Sequence, residues 1–494
     1  MLLSNRRRYS HIYAMTLLGM MSFVNFLQPF VKTSRTRVQF VSSWHCVDDC
    51  CGQTSQNNRS CVLRNVCVFD GELVSVGRRD LHEPFPTWYG CDRTNQVEAH
   101  PVLTLKHLDT RVDAQTFGYL SGTTMFVEYA HFNIVHTMLD MVYPVFVSML
   151  KLGLSTEPGE PLRILHRLPH GDNSQSWFLH LIGDLGVEHI EKMDPTCFET
   201  LVVGGGNQGL LSWDSKYAIP GARDGALKAY RNMIYSKANV SIAKSMFGTA
   251  EHANVLFLNQ HKRPVQNIQH VSDHIKDVVP HAHVQITDWE SIVSIEDLQG
   301  SQWREHQVQH FREIADFREK LRVLKTTNVL IAGVGTSHLF EFLLLDGSVS
   351  INYGTCENYD GIGTFYDDYL IPGIDWVRGL YYVNKTKCKK SSGIELPRHS
   401  TQCLMKLAMQ TVQNPLEPIN IEENLSPFGK SISIVAQLYP KAWRSLRSPQ
   451  CKMTDVASIL LHNTTGRCLR YIPHEVISAL RSEFLSAGLQ YPCV

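Results

Sequence analysis

The chain lacks an excess of either charge: 47 Lys and Arg are matched by 47 Asp and Glu, and no Lys/Arg-rich block occurs anywhere. A protein that neutralises phosphates along a nucleic acid needs a basic face. None is supplied, so nucleic-acid partners are not expected. No two aspartates stand two residues apart, so no Asp-x-Asp pair is present to hold a divalent metal on a diphosphate. The Cys-rich N-terminal stretch also lacks the paired Cys-x-x-Cys knuckles of structural zinc sites. Internal repeats and low-complexity tracts are absent too.

What is present points to the secretory pathway. "NRRR" (Asn5 to Arg8) precedes Ile12 to Val31, a stretch without a charged residue. At about 1.5 Å rise per residue, a helix of that length just crosses a hydrocarbon core about 30 Å thick. The run exceeds the apolar region of a usual signal peptide, and no small-x-small cleavage site follows, so an uncleaved anchor is expected. Arg6, Arg7 and Arg8 are balanced by Lys32, Arg35 and Arg37, so flanking charge does not orient it. The 13 cysteines do. Cys46, Cys50, Cys51, Cys61, Cys67 and Cys91 follow the anchor, and Cys356, Cys388, Cys403, Cys451, Cys468 and Cys493 fall in the last third. Such even clusters imply disulfides within each terminal region, with Cys197 between them as a buried free thiol. N-glycosylation sequons at Asn58, Asn239, Asn384 and Asn463 agree with a lumenal body, whereas Pro427 disfavours the one at Asn424. The expected topology is type II.

At 494 residues the chain is too long for one ordinary core. Val38 to about Leu120 reads as Cys- and turn-rich, with "EPFPTWYGC" (Glu83 to Cys91) as loop. From about Thr123 the texture changes to alternating helix and strand. "HFNIVHTMLDMVYPVFVSMLKLG" has apolar residues at helical spacing and stops at Gly153. "LRILH", the helical "SWFLHLIGDLG" and "TLVVGGG" follow, then a second series: "NVLFLNQ", "HVQIT", the charged helix "QHFREIADFREKLRVLKTT", "NVLIAG", a helix from about His338, and "SVSINY". This spacing implies βαβ units and parallel sheets in an α/β protein. The expected division is a cytosolic tail over 1–11, the anchor over 12–31, a stem and Cys-rich segment over 32–120, one α/β half over 121–240, another over 250–384, and a disulfide-strapped accessory region over 385–494.

Chemistry has a few places to reside. "NIVHTMLD" sets Asn133, His136 and Asp140 in one helix, with His136 and Asp140 at i and i+4 on a shared face. That pair suits a general base and the group that orients it, or a structural pair in a half-buried slot. "GVGTSHL" joins a strand to the following helix, with Thr336 or Ser337 as N-cap. Gly333 and Gly335 would let backbone approach an anion at the helix start, or simply make a tight crossover. No Lys-Ser/Thr follows, so it is not a P-loop. Lys262 and Arg263 sit just past a strand end, either as cations for a leaving diphosphate or as a solvated loop. The bare spacing leaves each alternative open.

Taken together, the pieces resemble glycosyltransferase family 61, which includes plant xylosyl- and arabinosyltransferases and animal enzymes adding O-linked N-acetylglucosamine. "CVLRNVC" (Cys61 to Cys67) is similar to its Cys-x-x-x-Asn-x-Cys segment, and "NIVHTMLD" to its Asn-x-x-His-x-x-x-Asp helix. "HKRPVQNI" resembles its Arg-containing segment, and "GVGTSHLFEFLLLDGSV" its Gly-Ala-Gly-Leu-Thr-His-Leu stretch and the strand after it. The resemblance implies two Rossmann-like halves (GT-B type) and inverting transfer from a nucleotide sugar, UDP-linked, to a glycan or glycoprotein acceptor. It also implies no metal and no other cofactor, in the Golgi or endoplasmic reticulum. Asp140 and His136 would be catalytic. Asn133, Lys262, Arg263, Gly333, Gly335, Thr336, Ser337 and His338 would bind substrate, the 250–384 half holding the nucleotide sugar. Ala332 stands where the family usually has His, and Ile351 near where it has an acidic residue. An inactive lumenal glycan- or protein-binding module on the same scaffold is the alternative.

Overall fold

Continuous apolar runs, rather than alternating ones, build the central strands, which suits parallel strands buried on both faces. The computed structural model describes residues 41–48, 59–76, 84–86, 102–104, 106–108, 117–127, 134–154, 160–167, 177–203, 225–242, 252–259, 264–289, 305–333, 338, 340–354, 374–382, 393–415, 419, 424, 474–489 and 493. These residues form a mixed α/β structure around two large sheets.

The first sheet draws on β1 (Ser43–Asp48), β2 (Arg59–Phe69), β3 (Glu72–Val76), β6 (Lys106–Leu108), β7 (Gly118–Val127), β8 (Leu162–His166), β9 (Val187–His189) and β10 (Thr196–Val203). A separate small ribbon pairs β4 (Pro84–Pro86) with β5 (Val102–Thr104). In the large sheet, β7 lies parallel to both β10 and β8, and β8 to β9. The spatial order β9-β8-β7-β10 therefore reverses between β7 and β10. The second sheet is parallel throughout, ordered β12 (His283–Thr287), β11 (Asn254–Leu258), β13 (Val329–Ala332), β14 (Ser348–Asn352), β15 (Val377–Tyr381), and reverses between β11 and β13.

The N-terminal segment corrects two expectations. Its described residues are largely strand rather than turn: β2 pairs antiparallel with β1, β3 and β10, extending the first sheet. Cys197 is not a free thiol either, because Cys67 of β2 lies directly across from it on β10 and the two form a disulfide. Spacing along a chain does not reveal a strand pairing across a separation of 130 residues. Cys46–Cys61 joins β1 to β2 in the same cross-strand manner, and Cys403–Cys493 ties the last third together.

Helices cover both faces of the second sheet. Val255, Phe257, Ile331 and Ile351 face α4 (Ile268–Val278) and α6 (Arg398–Gln413), whose Leu404, Met405 and Ala408 fill the same cluster. Leu256, Leu258, Leu330 and Ala332 point the opposite way, into a core shared with Met125, Val127 and Ile164 of the first sheet. Between the sheets stand α1 (Tyr143–Lys151), α2 (Trp177–Ile182), α3 (Ala226–Lys237) and α5 (Glu305–Thr326). Each large side chain fully buried here contributes about 1.5–3 kcal/mol.

A polar clamp locks α3 onto the second sheet. Arg231, 3% exposed, donates to the Leu344 carbonyl and to Asp346, each at 3.0 Å, and its guanidinium lies 4.9 Å from the Trp376 ring centre. Lys228 also pairs with Asp346. Burial pushes the Asp346 carboxyl up, but the bond from Lys228 and the Arg231 charge outweigh it and hold it below its ordinary value.

No helix among the described residues is long and apolar enough to cross a membrane, and Ile12 to Val31 lies outside them. Of the sequons, Asn58, Asn384 and Asn463 also lie outside, whereas Asn239 is exposed just past the end of α3. Asn424 is fully buried, its side chain accepting from the Gly379 N–H and donating to the Val377 carbonyl. In protein expressed through the secretory pathway, Asn239→Gln is expected to remove one glycan-sized gel shift, and Asn424→Gln none. An unchanged Asn239→Gln band would contradict a lumenal body.

Candidate functional site

Open α/β sheets bind ligands beyond the carboxyl ends of strands where the strand order reverses. In the first sheet that place is the end of β7, at Val127, from which the chain runs into the segment bearing His136 and Asp140. The expected straight helix there is not uniform. A short α-turn, Ile134–His136, passes into a π-helix, Thr137–Val142, before α1 begins. Pro144 supplies a cause: a proline has no N–H to offer the carbonyl four residues back, that of Asp140, so a regular α-turn is disfavoured there and a wider one is not. Tyr230 of α3 supports the turn from below, donating to the Met138 carbonyl at 2.8 Å. The i, i+4 geometry assumed for an α-helix thus gives way to i→i+5 bonding at Asp140, and such turns are frequent at functional sites.

In the second sheet the reversal lies between β11 and β13. Gly333 leaves β13 there. A Cβ at Gly333 would come within 2.6 Å of the Tyr353 ring, so the glycine makes room for that ring. Tyr353 is fully buried and donates to the Leu258 carbonyl at 3.1 Å, lacing the ends of β11, β13 and β14 together. On the far side of the turn, His338 is enclosed at 1% exposure, its Nε2 3.1 Å from Glu341 Oε2. His338 itself is helical, and Phe340–Leu343 forms a 3-10 turn, all of it buried. Ala332 and Ile351, the two departures from the resembled pattern, are interior, and Ile351 lines an apolar cavity of about 20 Å³ with Val271, Leu404 and Met405.

Asn259, immediately after β11, was not singled out by the sequence. Its carboxamide oxygen accepts the Val265 N–H at 2.8 Å, closing the link that contains Lys262 and Arg263. No local motif announces such a bond.

A further group at the carboxyl edge of the first sheet also escaped notice. His166 ends β8 directly beside His189 of β9, their rings nearly perpendicular with centres 5.0 Å apart. Burial lowers the His166 imidazole from 6.5 to about 4, and His189, His180 and Lys192 push the same way. The unfolded chain therefore binds the proton first. This contribution to stability is complete above about pH 6.5, falls as pH drops towards 4, and is lost below that. Allowing for partial exposure, the loss is about 2 kcal/mol. Urea unfolding at about pH 7.5 and about pH 4.5 is expected to show His166→Gln less acid-sensitive than wild type by that amount. Equal acid sensitivity would contradict it.

Of the expected site residues, Gly333 and His338 are described, and His136 and Asp140 are placed by their backbone. Asn133, Lys262, Arg263, Gly335, Thr336 and Ser337 lie outside the described residues. Among the described residues no group of His, Cys, Asp and Glu is arranged to hold a metal ion. The chain matches no protein-family model, and no curated protein matches its sequence.

Proposed function

We propose that the protein is an inverting, metal-independent glycosyltransferase of the family 61 type, with two Rossmann-like halves. It would move a pentose or N-acetylglucosamine from a UDP-linked sugar to a glycan or glycoprotein acceptor in the Golgi or endoplasmic reticulum lumen. One observation carries the reading. The segments bearing "NIVHTMLD", Lys262–Arg263 and "GVGTSHL" leave β7, β11 and β13, strands that flank the reversals of the two sheets. Ligand sites gather there on general grounds, independently of any resemblance.

Inverting transfer is a single in-line displacement. Asp140 takes the proton from the acceptor hydroxyl as it attacks the anomeric carbon, with His136 orienting it. The bond to the diphosphate breaks as the new bond forms, and Lys262 and Arg263 neutralise the departing charge. Without an Asp-x-Asp pair to recruit a divalent ion, these cations act alone, so transfer is expected to survive EDTA. Complete loss with chelator, restored by manganese, would contradict it. Arg263→Ala should lower turnover more than acceptor binding, since its charge matters most as the leaving group forms.

A second reading, a catalytically inactive binding module, draws on the Gly333 turn. Its missing side chain is explained by Tyr353, without a ligand. Glycan-array binding with silence towards every common nucleotide sugar would favour it.

A further inference from the structure

Strands β8 and β9 each end with a histidine, and His166 stands directly against His189 across the parallel pair. Side chains alternate between the faces of a sheet. Ile164 and Val187 lie in the core shared by the two sheets, so His166 and His189 point to that same face, whereas Leu165 and Glu188 point to the other. The Arg167 N–H donates to the Val127 carbonyl at 3.1 Å, so the ladder to β7 continues past His166 and fixes its backbone. The tautomer of each ring follows from what its Nδ1 meets. His189 Nδ1 accepts the Glu191 N–H at 3.2 Å, which places the proton of the neutral ring on Nε2. His166 Nδ1 is buried with no hydrogen-bond partner. Buried N–H groups without a partner are rarer than such acceptors, so here too the proton belongs on Nε2. The His166 ring as a whole is only partly buried.

Both histidines thus carry donors at the carboxyl edge of the sheet, where α/β proteins gather ligands. Burial depresses the His166 imidazole, and the neighbours that add to this are all basic: His189, His180 of α2 and Lys192. Other charged groups nearby are directed elsewhere. Arg167 donates to the Gly71 carbonyl at 3.3 Å, the Glu191 Cγ lies 3.4 Å from where a Cβ of Gly71 would stand, and Glu188 acts on Arg163 across the sheet. We propose that His166 and His189, with Lys192 and His180 beside them, form a binding site for a small oxyanion such as the carboxylate of an acidic saccharide. The site stands on these residues and does not depend on the transferase reading. An anion there accepts from the imidazole donors and offsets the repulsion among four basic groups. It also favours the imidazolium, whose charge-assisted bonds are about twice as strong as neutral ones. The bound anion therefore raises His166 from about 4 towards its ordinary value, and binding takes up a proton. Affinity rises as pH falls.

The test is calorimetric titration of sodium glucuronate, and separately of inorganic sulfate, into the full-length protein at about pH 7.5 and about pH 5. Both anions stay ionised across that range, so any pH dependence belongs to the protein. Wild type is expected to bind about tenfold more tightly at the lower pH. His166→Gln keeps a donor but takes up no proton, and is expected to lose that dependence. His189→Gln is expected to weaken binding about tenfold at the lower pH. Thermal melting of both variants checks the fold, since a merely structural histidine would shift melting without altering anion affinity. Tighter binding of glucuronate than of sulfate assigns the site to a carboxylate, and the reverse order to a tetrahedral oxyanion; either supports it. No binding of either anion by wild type, or wild-type affinity and pH dependence in both folded variants, would overturn the proposal.

Discussion

Replacing Cys67 and Cys197 together by alanine is expected to lower unfolding free energy by about 4 kcal/mol. The disulfide closes a separation of 130 residues, holding together a stretch that includes β3, β7, β8 and β9. Chain entropy for a loop of that size comes to slightly under about 5 kcal/mol, and long-loop crosslinks usually deliver somewhat less. Cys46–Cys61, with a separation of 15, is worth about 3 kcal/mol on the same basis. Cys67 and Cys197 also share an apolar cluster with Val74, Phe69 and Phe117, so the double variant loses packing as well as the crosslink. The strand ladder between β2 and β10 remains, which predicts a native fold with a lowered urea midpoint rather than an unfolded N-terminus. A midpoint equal to wild type would show that the crosslink contributes nothing.

Asp140→Asn is expected to reduce turnover by roughly 10²–10⁴-fold while leaving the fold intact. Asparagine is nearly isosteric, and it cannot accept a proton from an attacking hydroxyl. Because the interaction is made only in the transition state, kcat and kcat/KM should fall together. His136→Ala should show a smaller loss in the same parameters if His136 orients the base. A well-folded Asp140→Asn variant with near wild-type turnover would rule Asp140 out. The same result for His136→Ala would return both residues to a structural role on the turn that Tyr230 supports.

The strands were the most legible part of the chain. "LRILH", "NVLFL", "NVLIA" and "SVSIN" each form a buried parallel strand where the apolar run stands, because such runs carry their own burial signal. Gly153 stops α1 in the left-handed conformation, φ 66°, as a helix-ending glycine should. Helix α3 was not legible, since Tyr230, Arg231 and Tyr235 are buried on it only because carbonyls of Met138, Leu344 and Leu343 receive their donors. Those partners come from elsewhere in the chain. The same holds for the pairing of Cys67 with Cys197 and for the two bonds between Asn267 and Leu396. At the candidate site, the sequence marked the segments that leave the reversing strands, while the π-turn went unread and Asn259 carried no local signal. A proline four residues beyond Asp140 was the available clue to the former.

The most direct test of the whole account is release of UDP from purified full-length protein offered a panel of UDP-sugars in the presence of EDTA. The account predicts slow hydrolysis of one donor, UDP-xylose, UDP-arabinose or UDP-N-acetylglucosamine, unaffected by chelator and abolished to within background by Asp140→Asn. Silence towards every donor, from protein that is folded and disulfide-bonded, would contradict it.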